Sequence, residues 1–258
     1  MALKRRHRYI LFAAGIYWPL IFWLTHIPIP QIARRSGMSD KTMHLMAYLV
    51  LSFLTWLAFR PYEKVRWNRP LVWVIILLLA GYGVFDEWLQ GRPFIGRSAD
   101  WEDFLANLTG IGLGLGILTF LSFWPALLAV SALFIFVIQN RSAVLMLWPQ
   151  YHLDIVFHFT AYAAFTLIWI HFLNFQKSLP ILHKIFLGLL VPLVLLSAVW
   201  TEAFLRLGKA DWTAVLTAVT SIGSAAAVSV PVLLKSPALP SVIRARKDDT
   251  AGPPDNRG

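Results

Sequence analysis

Eight long apolar runs separated by short polar joins set the pattern of the chain. They cover roughly Tyr9–Thr25, Met43–Phe59, Leu71–Leu89, Phe104–Phe123, Pro125–Ile138, Ile155–Phe172, Ile185–Leu205 and Trp212–Leu234. Most reach the ~17–25 residues that a helix needs to span hydrocarbon. None alternates polar and apolar positions as a barrel strand does. Backbone groups in lipid must be satisfied within their own segment, so the runs predict helices. The expected fold class is all-α, a polytopic transmembrane helical bundle of about eight helices. The join Ser122-Phe123-Trp124-Pro125 predicts a tight turn with its proline at a helix start. The segment after Lys235 carries four prolines and a polar end, and predicts a disordered tail over 236–258.

Composition strengthens this picture. The chain has 258 residues, 58% hydrophobic and 14% charged, where a soluble domain carries about a quarter charged residues. Its mean hydropathy is +0.63. The basic start, Lys4-Arg5-Arg6-His7-Arg8, resembles a signal-peptide opening, but Trp23, His26 and two prolines follow where a small-residue cleavage site would stand. An uncleaved anchor is expected. There is no cysteine, which excludes disulfides and thiolate chemistry.

The net charge of +10 does not imply nucleic-acid binding, because the basic residues flank the apolar runs. They read as topogenic charge facing anionic headgroups. With the N-terminus cytoplasmic, 15 of the 23 Lys and Arg residues fall on the inside and 8 on the outside. That arrangement predicts a multi-pass protein of a bacterial-type cytoplasmic (inner) membrane, with both termini cytoplasmic.

Candidate chemistry is concentrated. Of 13 acidic residues, six are Asp40, Asp86, Glu87, Asp100, Glu102 and Asp103. The predicted topology brings the start of the second helix, the end of the third and the start of the fourth to one outer face. Asp40, His44 and Tyr48 fall at i, i+4 and i+8 on one helix face, with Asp40 a candidate N-cap. Asp86 and Gln90 share a face, and Glu87 is turned about 100° away. Asp100 and Asp103 fit the N-cap and N3 positions of the fourth helix. Asp103, Asn107, Gly110 and Gly114 then share a face. The pairs Gly110/Gly114 and Gly112/Gly116 allow close helix approach on two faces. Ionisable groups cost about 2.5–3.5 kcal/mol each at the centre of a membrane helix, so they tend to mark function; at an interface the cost is smaller, and a structural salt-bridge cluster is the competing reading.

The chain also repeats. Asp40–Tyr48 aligns with Asp154–Tyr162 at an offset of 114, Val84–Glu87 with Val199–Glu202 at 115, and Ala99–Trp101 with Ala210–Trp212 at 111. Two parallel four-helix repeats are expected, over 1–124 and 125–235, the second degenerate. The second copy keeps Asp154, His158, Tyr162, Glu202 and Asp211. It replaces Lys41, Asp86, Gln90, Arg97, Asp103 and Asn107 by Ile155, Thr201, Leu205, Gly208, Ala214 and Ala218. Residues found only in the first copy are the better functional candidates. The candidate polar site is Asp40, Lys41, His44, Tyr48, Asp86, Glu87, Gln90, Arg97, Asp103 and Asn107.

Three motifs carry a resemblance: D-K-x-x-H-x-x-A-Y at Asp40–Tyr48, Y-G-x-x-D-E-x-x-Q at Tyr82–Gln90, and G-R-S-x-D-x-x-D-x-x-A-N-x-x-G at Gly96–Gly110. In this order they resemble the VanZ-like family over about residues 38–120. The resemblance implies a small multi-helix membrane protein and an association with low-level resistance to the glycopeptide teicoplanin; it implies no reaction.

The first functional reading is a non-enzymatic envelope accessory or binding protein. Its outward polar site would take a lipid headgroup, a cell-envelope precursor or a lipophilic glycopeptide. A membrane hydrolase or transferase acting on a lipid-linked substrate is the alternative, with Asp86, Glu87, His44 and Asp103 as acid/base groups or hard-metal ligands. A proton-coupled transporter ranks third, since the polar groups sit at one end and not at the midplane. The sequence holds no nucleophile signature, P-loop or metal motif, so no cofactor or metal is expected. The partner expected is the lipid bilayer.

Overall fold

A computed structural model describes residues 5–26, 39–92, 100–141, 153–176, 179–208 and 211–234. Eight helices and no strands occur among them: α1 (Arg5–His26), α2 (Asp40–Phe59), α3 (Pro70–Gln90), α4 (Trp101–Phe120), α5 (Phe123–Arg141), α6 (Leu153–Asn174), α7 (Ile181–Leu207) and α8 (Trp212–Leu234). Seven of them, α2 to α8, are long and apolar enough to cross a membrane. The tail expected to be disordered, 236–258, and the loop carrying Arg97 and Ser98 lie outside the described residues.

The bundle is apolar outside and selectively polar inside. Leu77, Phe120, Leu182 and Val228 face outward, whereas Asp86 and Asn107 are fully buried. Hydrocarbon outside the bundle accepts the first set, and only the protein interior can satisfy the second.

Local sequence explains several helix ends. At the start of α2 the cap differs from expectation. Ser39, and not Asp40, is the N-cap, its side chain accepting from Thr42 N–H. Asp40 is thereby the first helical residue, and its carboxylate lies along α2, 3.7 Å from His44 Nε2. Asp100 caps α4 as expected, accepting from Glu102 N–H. Pro70 opens α3, where its missing N–H is harmless. The turn between α4 and α5 is as short as the sequence predicts, with Leu121 and Ser122 between the helices. Gly208 ends α7 with φ of 66°, the left-handed conformation that favours glycine.

The most extensive helix pair is α2 against α4, followed by α6 against α8. Two apolar cores result. Tyr48, Trp56, Leu79, Ile111 and Leu115 belong to the first, and Tyr162, Phe165, Val199 and Ile222 to the second. Helix α5 serves both: Ala126 and Val130 enter the first core, and Leu128 and Ile135 the second.

The bundle end away from the acidic cluster is closed by the α2–α3 connection. Val65 N–H donates to Leu118 O at 3.0 Å and Lys64 Nζ to Phe120 O at 2.6 Å. These two donors satisfy carbonyls that the end of α4 leaves free. Trp56 Nε1–H donates to Glu63 O, and His7 Nε2 lies 2.7 Å from Ala58 O.

Glu63 there pairs with Arg60 and Arg69. Partial loss of hydration raises its carboxyl, but the two guanidinium groups outweigh that and hold it below the usual carboxylate range. Because the folded value is depressed, the contribution is present above the unfolded value and lost as pH falls through the folded one. Glu63 is exposed, so the effect is small. Glu63→Gln is expected to leave neutral stability nearly unchanged and to flatten the acid-side loss, read as unfolding midpoints between about pH 7 and about pH 3. An unchanged acid slope would show that the Arg60–Glu63–Arg69 cluster does not contribute.

Candidate functional site: a buried acidic cluster around His44

Three helix ends meet at the other end of the first core. The first turns of α2 and α4 carry Asp40 and Asp103, and the last two turns of α3 carry Asp86, Glu87 and Gln90. His44, one turn into α2 and 3% exposed, stands at the centre.

Its imidazole touches all three helices. Asn107 Oδ1, on α4, lies 3.0 Å from Nδ1 and accepts its proton. In the neutral ring Nε2 then carries the lone pair; it faces Asp40 Oδ1 at 3.7 Å and Asp103 Oδ2 at 3.9 Å. Glu87 Oε1, on α3, lies 3.8 Å from Nδ1. The other Glu87 oxygen accepts from Asp100 N–H at 3.1 Å, tying the end of α3 to the start of α4. Gln90 Nε2–H donates to Asp86 Oδ2 at 2.8 Å, the i, i+4 pair that the sequence predicts.

Several buried polar atoms have no hydrogen-bond partner in the protein: Glu87 Oε1, Asp103 Oδ1, Asn107 Nδ2, and the hydroxyls of Tyr48 and Tyr82. Buried polar groups are ordinarily satisfied; these five atoms lie in one helix cluster, and five more lie in the second half, on Asn140, His158, Thr166 and Trp200. Two of the first five are donors beside the same spot. A Cβ at Gly83 would lie 3.3 Å from Asn107 Nδ2 and 3.5 Å from the Tyr48 hydroxyl. The absence of a side chain at Gly83 leaves them room.

The candidate residues thus separate. Asp40, His44, Glu87, Asp103 and Asn107 converge. Asp86 and Gln90 are buried beside them as a pair, and Tyr48 forms the floor, fully buried. Lys41 does not point inward: it pairs with Glu102, and lies 4.0 Å from Asp100, at the exposed rim. Arg92 stacks over the Trp88 ring at 3.8 Å. Arg97 lies outside the described residues.

Glu87 is more central than the repeat comparison implies. Persistence of Glu202 in the second copy reads as scaffold, yet Glu87 both braces Asp100 and faces His44. Position in space, which internal repetition does not encode, decides its role.

The candidate polar site leaves out Tyr82 and Gly83, which open the Y-G-x-x-D-E-x-x-Q motif, and the α1 aromatics. Tyr82 lies one turn before Asp86, and that spacing was the available signal. Its ring packs on Tyr48 at 6.0 Å and edge-on to Trp18 at 5.5 Å. It also lines an apolar groove of about 580 Å³ between α1, α2 and α3, with Leu11, Ala14, Trp18, Phe22 and Thr55. Tyr82 therefore joins the polar cluster to the groove. Comparison of the chain with protein-family models, with curated proteins and with solved structures finds no match to any of them.

Proposed function

We propose that this helical membrane protein is a VanZ-like envelope accessory protein. In this reading it binds the polar head of an amphipathic molecule at the outer end of its first four-helix unit. The observation that carries the reading is the convergence of unpartnered donors, Tyr48 Oη and Asn107 Nδ2, with unpartnered acceptors, Glu87 Oε1 and Asp103 Oδ1. Such a set matches a head rich in hydroxyl and amide groups, which both donate and accept. The Tyr82 groove offers an apolar channel for the tail.

The chain is read as two four-helix repeats, the second degenerate. His44 and His158 are both buried, as are Tyr48 and Tyr162. Where Gly110 meets Leu45 O, its counterpart Ser221 donates to Phe159 O, 114 positions on from Leu45. The functional residues are those of the first repeat.

The second reading is a membrane hydrolase or transferase. It draws on His44 with three carboxylate oxygens within 3.9 Å, a set able to move a proton. It ranks lower because no nucleophile stands beside the imidazole among the described residues.

Binding of four probes to the detergent-solubilised full chain tests the proposal: phosphatidylglycerol, phosphatidylethanolamine, a prenyl-diphosphate-linked disaccharide peptide, and teicoplanin. At least one is expected to bind saturably, and the pattern tells a lipid headgroup from a precursor or a glycopeptide. Asn107→Ala is expected to weaken it about tenfold, from a lost buried hydrogen bond of about 1–3 kcal/mol. Glu202→Gln is expected to have no effect. No saturable binding, or wild-type binding by Asn107→Ala, overturns the reading. Turnover of the disaccharide-peptide probe would favour the enzyme.

A further inference from the structure

We infer that Asp40, His44 and Asp103 form a site for a first-row divalent cation of the Mn²⁺/Zn²⁺ class. The inference concerns the cation alone and does not depend on the headgroup reading.

The tautomer comes first. Asn107 Oδ1 accepts from Nδ1–H at 3.0 Å, which in the neutral imidazole leaves Nε2 as the lone-pair donor that a cation would take. A side-chain partner that fixes the far nitrogen of a ligating histidine is the usual support for a metal-bound imidazole. The Nε2 lone pair points at two carboxylates, Asp40 Oδ1 at 3.7 Å and Asp103 Oδ2 at 3.9 Å. Three electron-rich atoms facing one another repel, and a cation between them removes the conflict. One ligand atom from each of the three residues lies within 4.8 Å of the others.

A filled site with bonds of ~2.1 Å at tetrahedral angles separates adjacent ligand atoms by roughly 3.4 Å. The His44 separations of 3.7 and 3.9 Å are slightly wider, and carboxylate rotations would close them. Asp40 is half-exposed and can move.

Asp103 supplies a second observation. It is 4% exposed, and its Oδ1 has no hydrogen-bond partner. Glu87 Oε1, also unpartnered, faces the Nδ1 side of the ring and lies outside this triad. Desolvated carboxylate oxygens without donors are costly unless a charge of opposite sign is present. The nearest fixed cation does not serve: Lys41 is occupied by Glu102 at the rim.

One imidazole nitrogen with carboxylate oxygens is a borderline-to-hard donor set. It suits Mn²⁺, Fe²⁺ and Zn²⁺, and lacks the thiolates of soft-metal sites. The half-exposed Asp40 side leaves the coordination sphere open toward the bundle end.

Mn²⁺ titration of purified full-length protein in detergent tests the site, read by electron paramagnetic resonance, with Zn²⁺ as competitor. The expected result is one Mn²⁺ per chain, displaced by Zn²⁺. Electron spin-echo modulation should show a ¹⁴N coupling from the His44 imidazole. Asp103→Asn is expected to weaken binding at least about tenfold. His44→Gln should abolish the ¹⁴N coupling, and Asp154→Asn in the second half should change nothing. Three results would overturn the inference: no saturable Mn²⁺ binding to the wild-type chain, binding without ¹⁴N coupling, or binding untouched by Asp103→Asn. Wild-type Mn²⁺ binding and its ¹⁴N signal need no variant to fold. Because the titration contains no lipid or glycopeptide, its failure leaves the headgroup reading standing, and failure of the headgroup probes leaves the cation site standing.

Discussion

Replacing Gly110 by leucine is expected to destabilise the first four-helix unit by about 3 kcal/mol, the upper end of what overpacking costs. Helices α2 and α4 form the most extensive contact among the described helices, and they approach along Gly110 and Gly114. A Cβ on Gly110 would overlap Leu45 O and lie 2.9 Å from Leu49 N. On Gly114 it would overlap Ser52 Oγ and come within 2.5 Å of Leu49 O. These contacts are mostly backbone atoms, which cannot turn aside as a flexible side chain would. The helices must therefore separate, and separation pulls Asp103 and Asn107 on α4 from His44 on α2. In hydrocarbon no hydrophobic force holds the helices together, so close packing is the main attraction lost.

The internal control is unusually clean. Gly112 and Gly116, two residues further along, have nothing within 4 Å of a built Cβ. Gly112→Ala is expected to be neutral or to stabilise by up to about 1 kcal/mol, the helix-propensity difference. Unfolding in mixed micelles, followed by tryptophan fluorescence, measures both. If Gly110→Leu falls within about 0.5 kcal/mol of wild type, the α2–α4 approach is looser than described.

Removal of the imidazole is the second large effect. His44→Ala is expected to cost about 2–5 kcal/mol, because it empties a buried position and leaves the buried Asn107 Oδ1 without its donor. Glu87 Oε1, Asp40 Oδ1 and Asp103 Oδ2 all lie within 3.9 Å of the ring. The diagnostic is coupling. His44 and Asp103 face each other at 3.9 Å, so the double variant His44→Ala/Asp103→Asn is expected to differ from the sum of the two by about 0.5–3 kcal/mol. Strict additivity would mean that His44 and Asp103 do not interact, and would remove the central contact of the candidate site.

The α4 glycines show where sequence reading stops. Two small-residue pairs are visible in the chain, and spacing alone assigns close approach to both faces. Only the Gly110/Gly114 face is used, because α2 lies on that side; Gly112 and Gly116 face open space. Lys41 is a similar case. Its neighbour Asp40 leans inward to His44, but one residue's rotation along the helix carries Lys41 to the rim, where Glu102 takes it.

The sequence by itself determined the helical class, the positions of the eight segments and the one end of the bundle where the acidic residues gather. These follow from a solvent rule, since hydrocarbon permits long apolar helices and drives ionisable groups to their ends and interiors. It also set Asp86 with Gln90 and Asp40 with His44, pairs fixed by the helical repeat. Only the tertiary structure decided that His44 is the hub and that Asn107, 63 positions away, fixes its tautomer. It alone made Glu87 a facing group and not mere scaffold, and connected Tyr82 to the α1 groove. Those facts depend on how α2, α3 and α4 are rotated against one another. That rotation is set by the packing of Gly110 and Gly114 on the α2 backbone, and no periodicity along a single helix records it.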